Sequence, residues 1–175
     1  NKYDAFRNAL LVVGPACVLT HGTAAISFIA LMFSNSELIR TFGEAGLAAM
    51  LCVGTGDPHN GEIAKAVAVA EKYDNVFASV GVHPHDAKLY DDAAEANLIG
   101  LAKSEKVIAW GEIGLDYYYD HSPRDVQREV FRRQIRSAKE LGLPIIIHSR
   151  DADDETVEIL TEECSWEGFR GIMHC

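Results

Sequence analysis

Histidines, carboxylates and an arginine recur at four places along this chain, each time directly after a short apolar run. They are Gly81-Val82-His83-Pro84-His85 after residues 76–80, Gly111-Glu112-Ile113-Gly114-Leu115-Asp116 after 107–110, His148-Ser149-Arg150-Asp151-Ala152 after 144–147, and His174-Cys175 after 171–173. Imidazole nitrogens and carboxylate oxygens are donors to divalent cations. A guanidinium close by can take a pair of phosphate oxygens. Such residues, each delivered at the end of a strand-like run, describe one rim of an α/β barrel, the rim at which barrels place their chemistry. The pattern points to a hydrolytic metal site.

Each residue has a plainer reading beside the chemical one. Glu112 follows Val107-Ile108-Ala109-Trp110-Gly111, a run that should be buried. A buried carboxylate is costly without a cation or a tight partner, so the choice is between a metal and a structural salt bridge. His148 is either a ligand or a core histidine bonded to a carbonyl. Arg150, two residues further on, suits bidentate capture of a phosphate, and Asp151 is expected to cap the helix that follows. Pro84 argues for a turn between His83 and His85. His83 is assigned to substrate phosphate or to a place behind the ligands, and His85 to a structural role. His174 lies at the last strand end, in register with Glu112 and His148. His59 and His121 sit in polar loops and read as solvated. Tyr117, Tyr118 and Tyr119 either stack on a base or cover a barrel end.

The elements that must position these groups alternate with some regularity. Helices are expected over residues 37–45, 62–72, 92–103, 122–141 and 153–163. Strands are expected over 47–53, 76–82, 107–112, 144–147 and 169–174. Ser122-Pro123-Arg124-Asp125 reads as an N-cap, a first-turn proline and an acidic residue. Val126, Val130, Ile135, Ala138 and Leu141 form an apolar stripe that ends at Gly142. Residues 144–147 are apolar throughout, as in a parallel sheet buried on both faces.

Composition sets wider bounds. The chain has 175 residues, 48% of them hydrophobic and 24% charged, with a net charge of −10. That charge argues against a protein that coats nucleic acid with a basic surface. It leaves room for an enzyme that meets phosphates through bound cations. Cys17, Cys52, Cys164 and Cys175 form no CxxC pair, which fits a reducing, cytoplasmic setting better than a disulfide framework. Residues 1–36 form an atypical apolar segment with no charged residue from Asn8 through Ser36. A membrane span or signal, a buried strand and helix, and a stretch foreign to the rest of the chain are the three readings of it. No stable membrane partner is expected.

Taken together, the motifs G-V-H-P-H, G-E-I-G-L-D-Y, Q-R-E-V-F-R-R-Q-I, L-G-L-P-I-I-I-H-S-R-D-A and M-H-C resemble the TatD family of metal-dependent hydrolases and deoxyribonucleases, over residues 37–175. The resemblance implies an α/β fold, a TIM-type (β/α) barrel of the metal-dependent hydrolase kind. It also implies phosphodiester cleavage with Mg²⁺, Mn²⁺ or Zn²⁺, two ions per complete site, on DNA or a related substrate. By this likeness Glu112, His148 and His174 are metal ligands, Glu112 and Arg150 are catalytic, and His83 and Asp116 line the substrate or stand behind the ligands. Two departures stand out. The family's first-strand D-S-H-x-H is absent, with Leu19-Thr20-His21-Gly22-Thr23 in the corresponding region, and so is the aspartate of the eighth strand. The expectation is therefore a barrel truncated to about five or six βα units, whose open edges favour self-association. The alternative to an enzyme is a catalytically inactive relative acting as a structural or interaction module.

Overall fold

In the computed structural model the described residues are 50–165 and 167–174. The helix expected over 37–45 and the apolar segment before it lie outside them. Five strands form one sheet in the order β1-β2-β3-β4-β5: Met50–Gly54, Val76–Val80, Val107–Asp116, Ile145–Arg150 and Gly171–His174. Four helices alternate with them: α1 Glu62–Lys72, α2 Asp92–Leu101, α3 Arg124–Leu141 and α4 Asp153–Glu163. A 3₁₀ turn, Pro84–Leu89, precedes α2. The pairings β2–β3, β3–β4 and β4–β5 are parallel. Serial βα units with sequential parallel neighbours are the architecture of an α/β barrel wall. No helix among the described residues is long and apolar enough to cross a membrane.

Burial explains why the sheet reads as apolar runs. Val80, Trp110, Ile113, Leu115 and Ile145 are fully buried in β2, β3 and β4. Helix α3 packs Val130, Phe131, Ile135 and Ala138 into the same core, and α2 contributes Leu98. Ile172 and Met173 in β5, with Met50, Leu51 and Val53 in β1, are exposed apolar residues on the two outermost described strands.

Three local expectations need correction. Strand β3 does not stop at Glu112 but runs on to Asp116, and β4 includes His148 and Arg150. The backbone ladder continues wherever a neighbouring strand offers partners, whatever the polarity of the side chains. Second, Ser122 is not the cap of α3. The N-cap is Pro123, which has no side-chain cap bond. The Ser122 hydroxyl instead donates to the His85 carbonyl (2.7 Å) and accepts the Lys88 N–H (3.1 Å). Third, Asp151 does not cap α4. It takes a positive φ of 52°, and the N-cap is Ala152.

The register of β3 against β4 shifts between Trp110 and Ile113, so Glu112 sits in an irregular part of the ladder. Beyond it Gly114 pairs with His148 and Asp116 with Arg150, and on the far side of β4 His148 pairs with His174. The register thus brings His148 and His174 to one level of the sheet, with Glu112 two residues before Gly114, the β3 partner of His148.

Candidate metal centre

Glu112 is the hub. One of its carboxylate oxygens, Oε1, lies 2.9 Å from His148 Nδ1 and 2.9 Å from His174 Nδ1. Its side chain is 12% exposed, while that of His174 is 67% exposed, so the bonds come from one buried and one open side. The hydrogen bond from His148 is the main cause that draws the Glu112 carboxyl down to about 2, against the opposing effect of burial. The same bond raises the pKa of His148.

His148 is anchored at its other nitrogen as well. Nε2 lies 3.1 Å from Asp116 Oδ2, and His85 Nε2 meets the same oxygen at 2.8 Å. Asp116 is 1% exposed. Burial alone would raise its pKa, but the Tyr119 N–H and the two imidazoles outweigh that and bring it to about 2. Its second oxygen accepts the N–H groups of Tyr118 (3.1 Å) and Tyr119 (2.9 Å).

His83 completes the cluster. Its ring stands 4.5 Å from that of His148 and 4.3 Å from that of His85, centroid to centroid. Its Nδ1 accepts the His85 N–H at 3.2 Å. Burial first, and repulsion from His148 and His85 next, lower its pKa to about 4. Neutral imidazole is the form that binds metals.

The donor set fits a divalent cation. One ligand atom each from His83, Glu112 and His148 lie within 4.8 Å of one another. Mixed carboxylate and imidazole donors suit Zn²⁺ and Mn²⁺, and carboxylates suit Mg²⁺. The carboxylates of Glu112 and Asp116, both ionised far below neutrality, supply the negative charge that such an ion needs.

The residues singled out from sequence fall as follows. Glu112, His148 and His174 are in direct contact through one carboxylate oxygen. His83 stands in the same group as Glu112 and His148. Asp116 bonds His148 from behind. Arg150 is exposed, its guanidinium carbon 4.3 Å from the Tyr118 ring centroid and 4.7 Å from that of Tyr119. His59 contacts the Leu89 carbonyl (3.1 Å) and Asp91, away from the cluster. His121 stacks on Tyr119.

Sequence reasoning missed His85 as a partner of Asp116, and it missed Gln127 and Gln134. The two glutamines are buried on α3 and bond to the main chain beside the site. Their signal was present: polar residues placed among Val130, Phe131 and Ile135, on the helix face that has to be buried.

The model of a family described as "TatD related DNase" matches residues 27–175. The chain is 50% identical over 113 residues to the Bacillus subtilis protein named uncharacterized metal-dependent hydrolase YabD, covering 65% of this chain and 44% of that protein. It is 39% identical over 126 residues to the 3′-5′ ssDNA/RNA exonuclease TatD of Cronobacter sakazakii, covering 72% and 47%. The crystal structure of the TatD homologue YJJV from Escherichia coli superposes with a TM-score of 0.60 at 29% identity, over 69% of this chain and 46% of that one. That of a TatD-family hydrolase from Entamoeba histolytica gives 0.64 at 25% identity, over 76% and 46%. The chain spans about half the length of the curated relatives it matches. With the family model matched across most of its residues and the parallel βα wall shared with solved members, this chain belongs to the TatD-related DNase family.

Proposed function

We propose that the protein is a divalent-metal-dependent hydrolase that cleaves phosphodiester bonds in single-stranded DNA or RNA, working from the 3′ end. The observation that carries this reading is the convergence of His83, Glu112 and His148 within 4.8 Å. The name of the Cronobacter relative supports the substrate class.

His83, Glu112 and His148 would hold the cation, with His174 on the other side of the Glu112 carboxylate. A divalent ion bound there supplies polarisation of a phosphoryl oxygen and a lowered pKa for water. Glu112 remains ionised throughout the neutral range and offsets the charge of the ion. His83, neutral above about pH 4, adds no positive charge to oppose the ion. Asp116 fixes the His148 and His85 rings through one shared oxygen. Arg150 is exposed, with its guanidinium carbon over the Tyr118 and Tyr119 rings, and a guanidinium can take two phosphate oxygens through paired N–H groups. It would offset charge that develops on the phosphate as the bond breaks.

The test is hydrolysis of a 5′-labelled single-stranded oligonucleotide with Mg²⁺, Mn²⁺ or Zn²⁺, using wild type and Glu112→Ala. Residues that merely support metal ligands are worth 10- to 100-fold, so losing Glu112 should cost about 100-fold or more. Products should shorten from the 3′ end. Cleavage that needs no metal, or an unimpaired variant, would contradict the assignment.

A further inference from the structure

Helix α3 carries two buried carboxamides, Gln127 and Gln134, that bond to main chain at both ends. Gln127, 0% exposed, accepts the Asp116 N–H at Oε1 (2.8 Å). Its Nε2 donates to the carbonyls of Asp116 (3.1 Å) and Ser122 (2.8 Å). Gln134, 1% exposed, accepts the Val82 N–H (2.8 Å) and the Trp110 indole N–H (3.3 Å). Its Nε2 donates to the Val82 carbonyl (2.9 Å). Each carboxamide therefore meets both the N–H and the C=O of one residue.

The two residues they meet sit where the sheet ends. Asp116 is the last residue of β3, and Val82 lies just beyond the end of β2. Val82 also directly precedes His83, and its 1% exposure leaves water no access to it. A buried N–H or C=O past the end of a ladder must find another partner or pay in stability. Positions 127 and 134 are about two turns apart on an α-helix, hence on one face. One rigid element thus ties the backbone of the His83 loop to the backbone that carries the Asp116 carboxylate. That carboxylate in turn bonds His85 and His148.

We infer that Gln127 and Gln134 are positioning residues of the metal centre, which set the His83 loop and the Asp116 strand end at a fixed separation through α3. The metal-affinity part of the test rests on the functional reading above; the rest stands without it. Gln127→Met and Gln134→Met keep approximate volume and remove the bonds. Leu98→Ala, a cavity in the core on α2, is the control for simple destabilisation.

Two measurements on the folded 175-residue chain decide. In metal-free protein, ring-nitrogen NMR shifts of His85 and His148 should change in Gln127→Met, and those of His83 in Gln134→Met, while Leu98→Ala leaves all three in place. In Zn²⁺ titration calorimetry, both glutamine variants should bind about 10- to 100-fold more weakly than wild type, and Leu98→Ala should match wild type. Unchanged ring resonances in both glutamine variants would overturn the inference, as would wild-type Zn²⁺ affinity in both. Wild type that binds no Zn²⁺ would sink the metal reading instead, and the ring resonances would then judge the positioning role alone.

Discussion

Gly114 is the position in β3 where an added β-carbon would press hardest on β4, and it makes the sharpest single-residue test of the wall that carries the site. Its φ is +145°, a conformation that L residues rarely adopt, and it pairs with His148. A β-carbon there would run into the His148 carbonyl oxygen, with His148 C at 2.9 Å and N at 3.0 Å behind it. Backbone strain at such a position costs about 1–3 kcal/mol. Forcing an extra methyl into packed surroundings costs about another 1–3 kcal/mol. Gly114→Ala should therefore lose roughly 2–6 kcal/mol, a large part of the 5–15 kcal/mol typical of a domain. At a urea m-value of about 2 kcal/mol/M, the unfolding midpoint should fall by about 1–3 M with little change in slope. Gly100 is the control. It lies in α2, where an added β-carbon meets nothing within 4 Å, so Gly100→Ala should be neutral or gain up to about 1 kcal/mol. A Gly114→Ala midpoint within about 0.3 M of wild type, at an unchanged slope, would refute this account of the β3–β4 contact.

Two further expectations follow from the geometry. Arg150→Lys replaces a planar fork lying over Tyr118 and Tyr119 with a point charge; kcat/KM on a single-stranded oligonucleotide should fall about 10-fold or more with metal affinity unchanged, and equal activity would remove Arg150 from the site. Burial opposes the charge on Glu95, but hydrogen bonds from Arg133 (2.5 Å) and Ser137 (2.8 Å) outweigh it and hold the pKa below the ordinary 4.5. A carboxyl depressed on folding stabilises the folded state above its unfolded pKa and loses that contribution as pH falls through the folded value. Urea unfolding of wild type and Glu95→Gln should therefore differ most near neutrality and converge in acid as pH falls through the lowered folded pKa, and a gap that widens in acid would show the sign to be wrong.

Much of the scaffold was legible because periodicity and burial agree there. The helices over 62–72 and 153–163 were bounded from sequence to the residue, each having clear breaks on both sides. Strand β3 was read short because the reading stopped at the first charged residue, Glu112, while the ladder to β4 continues through Asp116 with Ile113 and Leu115 fully buried. Helix caps failed for a related reason: Ser122 has a stronger claim on its hydroxyl from His85 and Lys88 across the fold than from its own helix. The gathering of Glu112, His148 and His174 was foreseeable, since each closes an apolar run in a parallel sheet. The link from Asp116 to His85 was not, because Pro84 leaves the direction of the His85 ring open until the turn itself is known. Gln127 and Gln134 stand on the apolar face of α3, so their burial was legible, but their main-chain partners at Asp116 and Val82 were not, since those meet α3 only in the folded chain.

The central claim is that Glu112, His83 and His148 together hold a divalent cation. Crystals of the protein soaked with Zn²⁺ or Mn²⁺ and measured at the metal's absorption edge test it most directly. The anomalous difference map should show a peak bounded by Glu112, His83 and His148, with metal–donor distances near 2.0–2.2 Å for Zn²⁺, and the peak should be absent in Glu112→Ala. A map with no peak between these residues, or one whose peak survives the loss of Glu112, would contradict the account.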